Sequence, residues 1–377
     1  MSIGNISKHF LSFVTATVIC TPISLCADAF AEDSNSAVLP RGWILWHSYS
    51  DYSALDSELF LRSPDGSTET ISGDFIHAMN GSFGTSPEQM TFMAIDQTAD
   101  EWDIFLRESG NIVNLTQNSG LRNEDPKFSP DGRSIVFKRG HWDRSVDGFV
   151  YDLALMDVAT KEVTMLTNDL AEEAMPCFSS DGNYIYYASY TDGIGSICRY
   201  DTGSCSTETV YSEDGVTAYY PVVSGEKLYF TKWYSADNRC DQIVRMEENG
   251  VTRLSVDSSE YDCSDACPTG TDSIIFSSTM NGGYDLYFSD GENVFPLSEL
   301  NTDKNELGAD FFSCRDERDL NNDGEFGIAD LVLFSEWLLG AADKELYNWR
   351  NADICCDERL NVFDLCVLRK EFAERQK

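Results

Sequence analysis

With 377 residues, the chain has room for one to three domains and a sizeable core. Its 64 Asp and Glu outnumber 27 Lys and Arg, a formal charge of −37. Such a surface repels polyanions, so neither nucleic acid nor an anionic membrane is an expected partner, whereas cations are concentrated near it.

Residues 1–31 read as an export signal. Lys8 supplies the positive start, Phe10 to Leu25 the apolar run, and Ala29-Phe30-Ala31 a small-x-small cleavage site before Glu32. The run contains Pro22 and is short for a membrane span. Cys20 and Cys26 follow Ile19 and Leu25, where lipidation needs a small residue. The expected product is a secreted, extracellular monomer that starts with an extension over 32–41. Export permits disulfides. Cys198 and Cys205 flank an Asp201-Thr202-Gly203-Ser204 turn and are expected to pair; Cys240 with Cys263 or Cys267 is a second candidate pair. No paired CxxC or HxxxH spacing supports zinc.

From 42 to 313 one phrase recurs every forty to fifty residues. Its fullest copy runs Asp125-Pro126-Lys127-Phe128-Ser129-Pro130-Asp131-Gly132 and continues as a strand to Phe137. Diluted copies start at Met175 and Tyr220, and fainter ones at Ser82 and Cys267. Each reads strand, tight turn, strand, because Asp-Gly supplies the turn and alternating β-branched or aromatic residues the strands. A third strand follows, such as Trp102 to Leu106 or Tyr284 to Phe288, and a fourth ends in Leu115-Thr116, Leu166-Thr167, Leu254-Ser255 or Leu297-Ser298. Four antiparallel strands form a propeller blade, and blades must stack to cover their faces. Six are expected. The first, Trp43 to Ser72, lacks an inner strand, which Gly308 to Ser313 is expected to supply from the far end. The competing arrangement packs the same hairpins as a sandwich. These phrases resemble the TolB-like propeller repeat over about residues 42–313. That resemblance implies a mainly β, six-bladed platform whose ligand face carries the loops between second and third strands. There lie His47, Tyr49 and Tyr52, then His141, Trp142 and Asp143, then Lys232, Trp233 and Tyr234. Aromatic faces near amides and carboxylates suit sugar rings, although such residues also fill contacts between blades.

The tail, 314–377, carries Asp319-Leu320-Asn321-Asn322-Asp323-Gly324-Glu325-Phe326-Gly327-Ile328-Ala329-Asp330. Calcium takes six or more oxygen ligands, and this spacing offers the side chains of Asp319, Asn321, Asp323 and Asp330 with the Glu325 carbonyl. Gly324 falls where the loop turns sharply. Thirty-four residues on, Asp353, Asp357 and Asp364 repeat the pattern, with Arg359 in the place of Glu325. Cys355 and Glu358 replace Asn321 and Gly324, so this second calcium site is expected to be weaker. One helix follows each loop: Leu331, Phe334 and Leu338 recur in register as Leu365, Leu368 and Phe372. Two loop–helix units in duplicate resemble a type I dockerin of the ruminococcal kind, over about Arg318 to Lys377. The resemblance implies docking onto a cohesin of a cellulosome scaffoldin, with loop positions ten and eleven, Ile328, Ala329, Val362 and Phe363, choosing the partner.

Catalysis leaves no comparable signature. The 64 acids single out no pair flanking a glycosidic bond. No Gly-x-Ser-x-Gly elbow or phosphate-cradling loop occurs, and His47, His77 and His141 fall on separate blades. Most dockerin-bearing proteins act on plant cell-wall polysaccharide, so the expected function is a secreted component whose propeller binds or processes such polysaccharide. Whether it is an enzyme, then a glycoside hydrolase or polysaccharide lyase, stays open; the alternative is a non-catalytic, protein-binding or structural propeller.

Overall fold

The computed structural model describes residues 39–375, apart from 40, 98–100, 234–239, 255–259, 271, 315–317, 322–325, 342–343, 345, 347–351 and 356–358. The expected export signal and most of the extension to 41 lie outside the described residues, as do Tyr234, Asp323, Glu325 and Asp357.

Local chemistry explains the recurring phrase. The Ser129 hydroxyl donates to Asp131 (2.7 Å) and accepts from the Ser134 N–H (2.9 Å), while the Gly132 N–H donates to the Ser129 carbonyl (2.9 Å). Ser179, Asp181, Gly182 and Tyr184 repeat every one of these bonds. Both glycines have positive φ, +69° and +75°, which a side chain would strain. Each phrase is therefore a self-contained turn that sends a first strand back as a second.

The fourth strand is tied in by its Leu-Thr or Ile-Ser end. The N–H groups of Ile71, Leu115 and Leu166 donate to the carbonyls of Leu59, Ile104 and Leu153 on the third strands. The next hydroxyl, of Ser72, Thr116 or Thr167, accepts the N–H of that same third-strand residue at 2.9–3.0 Å. In the last blade Asn301 takes over, accepting from the Leu286 N–H and donating to its carbonyl. Both polar groups left at the strand end are thus satisfied.

Six four-stranded antiparallel sheets result. Their inner strands are Asn305–Ser313, His77–Phe83, Arg122–Phe128, Glu172–Phe178, Thr217–Ser224 and Cys263–Pro268, in blades one to six. Blade one closes the ring as expected: Asn305–Ser313 pairs with Gly42–Tyr49, from Tyr49 opposite Asn305 to Gly42 opposite Ser313. The closing strand begins three residues before the expected Gly308.

Every inner strand carries a bulge at the same place. Asn80, Asp125, Met175, Tyr220, Asp265 and Gly308 all adopt left-handed backbone, with φ between 52° and 61°. At each, two residues face one on the second strand. The residues opposite are Phe92, Phe137, Tyr187, Phe230, Phe276 and Trp46. All six are aromatic and buried, and each anchors a different hydrophobic cluster between neighbouring blades. Pro126, Pro176 and Pro221 sit second in three of the bulges, where the missing N–H would have been unpaired.

Asn, Asp and Gly tolerate this conformation; Met175 and Tyr220 are held in it at a cost of about 1 kcal/mol each. Met175→Asn is therefore expected to stabilise the fold by about 1 kcal/mol in a denaturant titration. Gly308→Ala is expected to destabilise it by more than that, because a Cβ there would lie 2.5 Å from the His47 ring.

Candidate functional site

The tail brings its two expected units together around one hydrophobic cluster. Helix α1 (Ile328–Leu338) and helix α2 (Val362–Arg375) contribute Leu331 and Phe334, and Leu365 and Leu368, to a core that also holds Leu320, Leu346 and Ala352. Phe326 meets Phe372 edge to face at 5.9 Å, and Arg318 pairs with Glu371.

The two units begin alike. The buried Asp330 carboxylate accepts the N–H groups of Leu320 (2.7 Å), Asn321 (3.0 Å) and Gly327 (2.7 Å). Asp364, also buried, accepts those of Cys355 (3.1 Å) and Asn361 (2.9 Å). Burial opposes the charge of Asp364, but these amide bonds outweigh it and hold its carboxyl below the ordinary range. Each acid thus serves its helix as the third-residue cap. Asp319 is buried as well. Among the described residues no three His, Cys, Asp or Glu side chains are grouped to hold a metal. Asp323, Glu325 and Asp357, the remaining expected donors, lie outside them; Asp353 and Arg359 lie within. Ile328, Ala329, Val362 and Phe363 are all exposed, Ile328 by 64% and Phe363 by 70%.

On the propeller, the expected ligand residues have separate fates. His47 is buried against Asn80, whose N–H donates to its Nδ1 at 3.4 Å. Burial, aided by Lys127, pushes its pKa down to about 3, so it is a neutral wall residue rather than an open ligand group. Tyr49 stacks on it at 6.0 Å, with Tyr52 edge-on to Tyr49. His141 and Trp233 are half-buried on their strands, opposite Val150 and Thr217. Trp142 stands out, 54% exposed.

Around Trp142 lies a group that sequence reasoning missed. Among the described residues, blade three has the longest second and third strands, Ser134–Asp143 and Gly148–Asp157, ten residues each. Trp142 faces Phe149 and Gly140 faces Tyr151 across them. The Trp142 ring meets Phe149 edge to face at 5.4 Å, and Phe149 stacks on Tyr151 at 5.9 Å. Tyr151 lies over Gly140, where a Cβ would come within 2.4 Å of its ring. Lys138 sits 4.0 Å from the Tyr151 centroid and bridges Glu124 (3.3 Å) and Glu172 (2.9 Å). Arg122 pairs with Glu124 at 2.6 Å and reaches the Tyr151 hydroxyl at 3.4 Å. Burial alone would depress Lys138, but the adjoining Glu124 and Glu172 prevail and raise its pKa. The aromatic spacing about the Asp143 to Gly148 turn was the available signal.

Where the inner strands converge, Asn80, Asp125, Lys127, Met175 and Tyr220 line a small cavity of about 20 Å³. Asn80 donates to Asp125 at 2.7 Å, and burial raises the Asp125 pKa.

The expected Cys198–Cys205 disulfide is absent: neither sulfur is bridged, nor is that of Cys267. Strand register explains this. The hairpin closes with Asp201 opposite Ser206, which puts Cys205 in the turn, while Cys198 faces Thr209 further along. A bridge needs the two Cα atoms within about 7 Å.

Glu173 occupies the same place in its inner strand as Asn123 and Glu306 in theirs. Burial, opposed by the Thr167 hydroxyl, pushes its pKa up to about 7 from an ordinary 4.5. Between these values the folded chain keeps a proton that the unfolded chain releases, so stability falls as pH rises through that window, by on the order of 3 kcal/mol. Glu173→Gln retains the acceptor for Thr167 and is expected to raise the melting temperature at pH 8 by about 5 °C with little change at pH 4.5. An equal shift at both pH values contradicts the assignment.

The chain is 27% identical over 198 residues, 51% of its length, to an uncharacterised protein of Agrobacterium fabrum, of which it spans 65%. Its backbone matches TolB from Acinetobacter baumannii with a TM-score of 0.55 at 19% identity, over 72% of this chain and 66% of that one. It matches hydrazine synthase of Kuenenia stuttgartiensis with a TM-score of 0.60 at 12% identity, over 72% and 46%. The chain therefore spans just under two thirds of both the first curated relative and TolB. No protein-family model matches it. At these identities the likeness establishes architecture: a TolB-like six-bladed β-propeller, closed by its last strand and followed by two C-terminal helices.

Proposed function

We propose that the two loop–helix units form a calcium-dependent docking module of the dockerin kind, which attaches a secreted propeller to a cohesin of an extracellular scaffold. The observation that carries this is the equivalence of the exposed residues. Ile328 and Val362, then Ala329 and Phe363, occupy matching places in the first turns of α1 and α2, and all four face solvent. At the first of these places both side chains are large and apolar, Ile328 and Val362, and at the second Phe363 adds a third; large apolar groups left in water are what a protein partner would cover.

Calcium fits the first loop. Its donors are hard oxygens, and the hydrogen bonds accepted by buried Asp330 come from amides of its own loop and helix start. Asp319, Asn321, Asp323, Asp330 and the Glu325 carbonyl would hold the ion; Asp353, Asp357, Asp364 and the Arg359 carbonyl would hold a second, more weakly. The ion supplies positive charge that lets these acids share one small loop. The propeller is then the cargo, engaging plant cell-wall polysaccharide.

Asp319→Ala with Asp330→Ala is expected to abolish binding to a panel of recombinant cohesins, and EDTA to do the same to the unaltered chain. Undiminished affinity in chelator, measured by titration calorimetry, contradicts the calcium assignment. Ile328→Asp with Phe363→Asp is expected to weaken docking by about a hundredfold or more while leaving the circular dichroism unchanged.

A further inference from the structure

We propose that the aromatic shelf of blade three, built from Trp142, Phe149 and Tyr151, is a subsite for a neutral pyranose ring. The inference rests on the reading that the propeller engages polysaccharide, and it names the place and the class of sugar.

Three observations converge. First, the shelf is built. Gly140 leaves open the space in which the Tyr151 ring lies, since a Cβ there would come within 2.4 Å of that ring. Phe149 extends the surface outward from Tyr151, and Trp142 stands at right angles to Phe149. Second, it is uncovered. Trp142 is 54% and Phe149 41% exposed, on a hairpin whose strands are the longest second and third strands among the described residues. The exposed Trp142 and Phe149 rings, at right angles, form an apolar corner in which one ring can stack on the C–H face of a sugar while the other abuts its edge. Third, fixed polar groups rim it. Lys138 and Glu124 are nearly buried, and Arg122, Glu172 and the Tyr151 hydroxyl complete a network placed to exchange hydrogen bonds with hydroxyl groups.

Charge selects the sugar. Arg122 and Lys138 already face carboxylates, Arg122 at 2.6 Å and Lys138 at 3.3 and 2.9 Å. Neither cation is left over for a uronate, and a chain of net charge −37 repels a polyuronate at longer range. A neutral backbone of hexose or pentose units meets neither obstacle.

The test uses the full chain and three neutral probes, xylohexaose, mannohexaose and cellohexaose, against oligogalacturonate, by titration calorimetry. At least one neutral probe is expected to bind, and oligogalacturonate to bind at least about tenfold more weakly. Trp142→Ala and Phe149→Ala are each expected to weaken binding by about tenfold or more, with Trp142→Phe recovering part of it. Melting temperatures report whether each variant remains folded, and these exposed positions are expected to leave them unchanged. Binding of no neutral probe, a preference for oligogalacturonate, or full affinity in folded Trp142→Ala each overturns the inference. EDTA separates it from docking: glycan binding is expected to persist in chelator. Lost cohesin binding with intact glycan binding counts against the docking module alone; the reverse counts against the shelf alone.

Discussion

A bulge opposite an aromatic ring, repeated six times, is the constraint on which the propeller depends. An extra residue in left-handed conformation bends each inner strand, and the residue facing that extra pair is always Trp, Phe or Tyr. Because each of these rings also anchors a cluster shared with a neighbouring blade, one local device sets both the bend of the strand and the packing between blades. Backbone strain at Met175 and Tyr220 is carried by that packing. Closure of the ring by Asn305–Ser313 extends the same device to blade one, where Gly308 faces Trp46.

The molecule repeats itself at two scales, and two of its exposed apolar surfaces lie where repetition becomes uneven. In the propeller, four strands and a Ser-Asp-Gly turn recur, but among the described residues blade three extends its hairpin furthest, to ten residues a strand. That extension carries aromatic surface outward while its lower part stays fixed by Lys138 and its two carboxylates. In the tail, two units share a core and a capping acid, yet their first turns differ in bulk, Ile328-Ala329 against Val362-Phe363. Equivalent scaffolds thereby present unequal surfaces.

Much of this architecture was legible in the sequence, for reasons visible in the bonds. Ser129-Pro130-Asp131-Gly132 announced a turn because every bond of that turn is local. The Leu-Thr ends were legible because side chain and backbone act on a single third-strand residue. Ring closure was inferred from a missing strand, and only its start at Asn305 was misjudged. Cross-strand register was not legible. It separates Cys198 from Cys205 and lays Tyr151 over Gly140, neither of which follows from spacing along the chain. The bulges escaped notice for another reason. Asn80, Asp125, Asp265 and Gly308 suit left-handed backbone, but Met175 and Tyr220 disguise the series. For the tail, loop spacing and the thirty-four-residue repeat were plain, whereas the capping use of Asp330 and Asp364 required the folded helix starts.

The pairing of Gly42–Tyr49 with Asn305–Ser313 has a kinetic consequence. The earliest strand of the propeller cannot complete its sheet until the last one has emerged, more than two hundred residues later. During that interval an apolar strand, Gly-Trp-Ile-Leu-Trp-His-Ser-Tyr, presents an unpaired edge to whatever else is nearby. A chain built this way gains from whatever holds it extended until its final third is synthesised. Its slowest productive step is then expected to be the meeting of its two ends rather than the formation of any single blade.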